Sequence, residues 1–123
     1  MMTALLVGIF GVTGALLRFA VDSWFARRPG RRPHWPRATL AVNVTGCLVI
    51  GLSIGLTGRL ELGADWHAVI ATGLAGGLTT FSSWTTATVR LATERRYRAA
   101  ALNVAANLLA GLAAAALGLL LAG

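Results

Sequence analysis

Gly76-Gly77-Leu78-Thr79-Thr80-Phe81-Ser82-Ser83-Trp84 lies in the middle of a long apolar, uncharged segment. In lipid every backbone N–H and C=O needs a partner, so helical runs there are normally unbroken. Two glycines followed by two threonines weaken a helix where a break is most costly. Such breaks persist where the freed carbonyls bind an ion or line a cavity. The stretch therefore predicts an ion-handling membrane protein whose third helix is broken near Gly76–Thr80.

The rest of the chain fits that frame. It has 123 residues, 56% hydrophobic and 12% charged. Four segments, at about 3–26, 38–58, 66–89 and 99–122, are almost free of charge. Each is long enough to cross about 30 Å of hydrocarbon as a helix. An all-α membrane protein is expected, with one four-helix transmembrane domain over 1–123. The start, Met1-Met2-Thr3, lacks the basic region of a cleavable signal peptide and is expected to stay. Cys47 lies within a span and reads as a small packing residue.

The net charge of +7 comes from arginine alone. The basic residues flank the spans, so topology explains them better than nucleic acid does. Loop 1 holds Arg27, Arg28, Arg31, Arg32 and Arg37, and loop 3 holds Arg90, Arg95, Arg96 and Arg98. The opposite side has Arg59 alone. This bias predicts a multi-pass protein of the cell membrane, with loops 1 and 3 cytoplasmic and both termini outside. Trp24, Trp35, His34 and His67 suit the membrane interface.

Polar residues inside the spans have bland and functional readings. Asn43 serves either as an interhelical hydrogen-bonding group or as a pathway residue; its match to a glycosylation sequon lies mid-membrane. Asn103 and Asn107, four apart, share a helix face and suit helix–helix contact equally. Arg18 either snorkels or pairs with Asp22, or draws anions into a vestibule. Hydroxyls often bond back to their own helix, but the Thr79–Ser83 cluster beside two glycines is harder to dismiss. Spans 2, 3 and 4 contain no Asp, Glu, Lys or Arg. A proton-coupled exporter needs a titratable group in its path, so a passive conduit fits better. Amide N–H groups, hydroxyls and aromatic edges all present partial positive charge, which favours a small anion. No metal-ligand cluster or nucleophile–base pair at credible spacing argues for an enzyme.

Three stretches together resemble the CrcB/Fluc fluoride channel family. They are Gly11-Val12-Thr13-Gly14-Ala15-Leu16-Leu17-Arg18-Phe19, Thr39-Leu40-Ala41-Val42-Asn43-Val44-Thr45-Gly46-Cys47, and Gly73-Leu74-Ala75 running into the quoted Gly76–Trp84 core. The resemblance implies an antiparallel dimer with two pores that lets fluoride leak out of the cell down its gradient. It also implies a structural sodium ion at the dimer centre, held by the backbone carbonyls of Gly76 and Thr79. By the same resemblance Phe81 offers its ring edge to fluoride, with Asn43 as the donor beside it. Ser82 or Ser83, with Asn103 and Asn107, continues a polar track, and Arg18 lies near a vestibule. The chain departs from the family pattern in carrying Trp84 where a second phenylalanine is usual. Asn103 and Asn107 stand where tyrosine and serine are typical, and Ala38 replaces a common glycine.

Homodimeric members insert both ways and carry little charge bias. The strong bias here points to a partner of opposite orientation, an asymmetric heterodimer with a paralogue. A non-conducting partner subunit is the alternative from another class. A small multidrug-type transporter fits less well, because such proteins rely on a glutamate in the first span and none is present.

Overall fold

The computed structural model describes residues 1–28 and 35–123. The centre of loop 1, including Arg31, Arg32 and His34, lies outside the described residues. Among the described residues there is no strand. Helix α1 is Met2–Ala26, α2 is Arg37–Arg59 and α6 is Tyr97–Ala122. These three, of 25, 23 and 26 residues, are long and apolar enough to span a membrane. The other expected span is built in pieces: α3 (Ala64–His67), a π-wound segment (Ala68–Ala75), α4 (Gly76–Leu78) and α5 (Phe81–Thr93). Four helical spans with a broken third are what the sequence predicts.

The break falls at Thr79 and Thr80, with φ/ψ of −77/158° and −147/116°. The paired glycines are not part of it, since Gly76 is regular helix at φ −62°, ψ −40°. Gly77 instead permits close packing. A Cβ on Gly77 would strike the Gly11 carbonyl, and one on Gly14 would strike the Leu74 carbonyl. α1 therefore lies directly on the first half of span 3. A second small-residue seam joins α2 to α6, where Gly51 faces the Ala115 backbone and Gly118 faces Leu48. Without a hydrophobic force between helices in lipid, such close backbone approach is what supplies dispersion contact. Residue numbers increase together along both helices of each pair, from Val7/Gly73 to Gly14/Leu78 and from Gly51/Ala115 to Gly55/Ala122, so α1 and span 3 run parallel, as do α2 and α6.

The end of α5 is a Schellman turn. Arg95 takes φ 59°; the Arg96 N–H donates to the Leu91 carbonyl at 2.9 Å and the Arg95 N–H to Ala92 at 3.0 Å. The chain reverses there, and α6 returns antiparallel to α5. The Trp35 indole N–H donates to the Ala99 carbonyl at 3.2 Å, tying the start of α2 to the start of α6. Arg37, Arg90 and Arg98 are thus gathered at one end of the bundle, and Arg59 lies at the other. At that other end Ser53 hydrogen-bonds His67 Nδ1 at 2.8 Å.

Candidate functional site: the broken helix and its amide clamp

An interrupted helix leaves carbonyls before the break and N–H groups after it without their usual partners. At this break side chains from two other helices supply them. Asn43 Oδ1 on α2 accepts from the Thr80 N–H at 2.8 Å, and Asn43 Nδ2 donates to the Thr80 carbonyl at 3.2 Å. The Asn43 amide thus pairs with the Thr80 residue as a second peptide would. In a regular helix the Thr80 N–H would serve the Gly76 carbonyl, so the pairing releases that carbonyl. Arg18 on α1 reaches over to donate from Nη1 to the Thr79 carbonyl at 3.0 Å. It makes neither the Asp22 pair nor a purely interfacial exit. Thr80 then caps α5, its Oγ1 accepting from the Ser83 N–H at 3.1 Å.

The clamp continues into α6. Asn43 Nδ2 donates to Asn107 Oδ1 at 2.9 Å, and Asn107 Nδ2 donates to the Asn103 carbonyl at 3.0 Å. Asn103 Nδ2 donates to Thr88 Oγ1 at 2.9 Å, and Trp84 Nε1 donates to the Asn103 carbonyl at 3.1 Å. Asn103 is 0% exposed and Asn107 9%. Both lie inside the subunit, linking α2, α5 and α6, rather than on an open face. Trp84 is half-buried, and its indole N–H is committed to α6. Its ring meets Phe81 edge to face, at 5.5 Å between centroids and 75°. Phe81 itself is 72% exposed, so its ring projects from the subunit.

Beside α5 an open cleft of about 370 Å³ is lined by Thr39, Ser82, Ser83, Thr86, Ala87 and Arg90, among others. Ser82 and Ser83 connect it to the break, because Thr80 Oγ1 lies 3.3 Å from Ser82 Oγ and donates to Ser83 Oγ at 3.1 Å. Thr39, Thr86 and Arg90 are not among the residues singled out by sequence. The signal was there: Ser83, Thr86 and Arg90 are spaced three and four apart and form one stripe.

The family model for CrcB-like protein, Camphor Resistance (CrcB), matches residues 5–119. The chain belongs to the CrcB family. A relative from Renibacterium salmoninarum, named "Fluoride-specific ion channel FluC", is 50% identical over 125 residues, covering 98% of this chain and 99% of its own. A relative from Leifsonia xyli subsp. xyli, named "Fluoride-specific ion channel FluC 1", is 40% identical over 122 residues, covering 99% and 88%. One from Pseudomonas syringae pv. tomato, also named "Fluoride-specific ion channel FluC", is 46% identical over 94 residues, covering 72% and 71%. All three stretches that carry the sequence resemblance lie inside the family match, and together they build the break and the α1–span 3 seam beside it.

Proposed function

We propose that this chain is a subunit of a fluoride-selective passive channel, not an enzyme, which lowers cytoplasmic fluoride by efflux down its gradient. The observation that carries the reading is the joining of near full-length relatives named fluoride-specific channels to a neutral, donor-rich break. The break is bordered by an exposed phenylalanine edge and by hydroxyls, with no carboxylate within 38–58, 66–89 or 99–122. Such a lining suits a small anion and offers a cation only neutral oxygens, with no carboxylate to balance its charge. Phe81 would meet the anion at its ring edge, with Ser82 and Ser83 as adjoining donors. Asn43 and Asn107 have their amide hydrogens engaged within the subunit. Their part is to hold the break open and fix α5. Efflux from proteoliposomes containing this chain, with chloride as the control anion, tests the reading. Fast fluoride release with no chloride release is expected; equal release of both would defeat it.

The functional unit is an antiparallel dimer, which would cover the projecting Phe81 ring. A structural sodium ion fits the break. The Gly76 carbonyl is released from its helical partner, and the Thr79 carbonyl keeps a second lone pair beside the one that accepts from Arg18. Two such oxygens from each of two subunits make a hard-oxygen set suited to sodium. The ion would supply only electrostatic cross-linking at the twofold. Replacing sodium by N-methylglucamine during purification should lower the melting temperature of the dimer; an unchanged melt would remove sodium from the account.

The gathering of arginines at one bundle end favours loops 1 and 3 in the cytoplasm and the termini outside. It also supports a second reading, a heterodimer with an oppositely oriented paralogue. In that case flux from this chain alone would be absent and would return on co-reconstitution.

A further inference from the structure

We infer that Trp84 is a positioning residue for the Phe81 ring, tethered to α6 through its indole N–H, and that this N–H does not serve the anion. Phe81 and Trp84 are three apart on α5 and so lie on one face. Phe81 is 72% exposed, and among the described residues Trp84 is the one aromatic ring that meets it. At 5.5 Å and 75° the pair has the edge-to-face geometry that aromatic quadrupoles favour. A side chain so exposed has little packing to choose its rotamer, and the wall beside it decides where its edge points. That wall is itself held. The indole N–H donates to the Asn103 carbonyl at 3.1 Å, and Asn103 Nδ2 returns a bond to the Trp84 carbonyl at 3.4 Å. Asn103 Nδ2 also donates to Thr88 Oγ1, which donates in turn to the Trp84 carbonyl at 2.8 Å. Asn103 is fully buried, so these bonds form away from water, where breaking them is costly.

The alternative role for Trp84 is that of a second anion donor. Indole has a single N–H, and here it is spent on the Asn103 carbonyl. An anion could use it only by drawing it off that acceptor. A phenylalanine at this place would supply the wall but no N–H to tie it down. Losing an aromatic pair of this kind shifts a rotamer balance about two- to tenfold. A site that is competent for only a fraction of the time binds more weakly by that fraction.

The consequence for flux rests on the channel reading, so the primary test does not use flux. With the indole nitrogens isotope-labelled in protein held in lipid nanodiscs, the Trp84 signal is the one lost in Trp84→Phe. It should exchange slowly in deuterated water and keep one position in sodium fluoride and sodium chloride alike. A signal that moves in fluoride alone makes the N–H an anion donor and overturns the proposal. A para-fluorophenylalanine in place of Phe81 reports the ring's rotamers through its fluorine resonance. One narrow line is expected with Trp84 present, and a second rotamer population, raised about two- to tenfold, in Trp84→Leu. Trp35→Phe is the control, since it removes a like indole bond to α6, at Ala99, and should leave the line unchanged. An unchanged line in Trp84→Leu, or an equal change in Trp35→Phe, overturns the proposal; Trp84→Met serves if Trp84→Leu folds poorly. Fluoride efflux then separates the two claims, and Trp84→Leu should slow it by the same factor. Wild-type protein that passes no fluoride while both signals behave as expected removes the channel reading and leaves the tether standing. Wild-type flux with a fluoride-sensitive indole, or with an unchanged line in Trp84→Leu, removes the tether alone.

Discussion

Asn43 grips Thr80 and Phe81 follows it in the chain, yet the two have opposite situations. Asn43 is half-buried and saturates both polar groups of the buried Thr80; Phe81 projects, with its ring edge-to-face on Trp84. Their variants should therefore fail differently. Asn43→Leu strands the Thr80 N–H and carbonyl and the Asn107 amide in a dry interior, at a cost of about 2–4 kcal/mol. A clear fall in melting temperature together with lost flux is expected; a melt equal to wild type would show that the clamp is not structural. Phe81→Ile should abolish flux with the subunit's thermal stability unchanged, because the ring is not core. Loss of folding in that variant would make the ring a packing group and end its assignment to the anion. At this scale the sequence singled out residues that the fold brings together, as Arg18, Asn43, Thr79 and Ser83 meet at the break. What it could not convey was direction. Asn103 and Asn107 share a face in any helix, but only packing decides that this face turns toward α2 and α5.

The broken span shows how two adjacent glycines acquire different duties. Around Gly76 the nearest atom to an added Cβ is the Ala71 carbonyl at 3.7 Å, whereas around Gly77 it would fall on the Gly11 carbonyl. Gly76→Ala is thus expected to leave the fold of the subunit unstrained. Gly77→Ala forces α1 away from span 3 and should destabilise by about 1–3 kcal/mol, as overpacking does. Comparing the two melts checks this, and equal effects would mean that the seam yields freely. The pair reads in sequence as a helix breaker, and the break expected near Gly76–Thr80 falls at the far end of that window. The interruption is at Thr79 and Thr80, because a helix in lipid breaks only where other groups can take over its hydrogen bonds. Those groups, on Asn43 and Arg18, are 37 and 61 residues away. The π-wound turns of Ala68–Ala75 carry no marker in sequence at all. Unusual winding of this kind tends to occur at functional sites.

For the whole molecule, the four spans and the gathering of arginines at one end follow directly from the charge-free segments, since lipid thickness and loop charge are properties of sequence. The parallel pairing of α1 with span 3 and α2 with α6 does not, as the glycine patterns permit several partners. Labelling engineered cysteines at either terminus with a membrane-impermeant reagent should find one population, outside the cell, in whole cells. Equal inside and outside populations would remove the heterodimer reading. The amide clamp also has a history in time. Asn43 leaves the ribosome before Thr80, and Asn107 after both. The polar gap of span 3 thus arrives in the bilayer with its counterpart already waiting in α2, and the last helix acts as a bolt driven home once the joint is closed. A nascent chain halted before α6 should already hold the kink in shape, so the most hazardous element of this molecule is never without cover while it is being made.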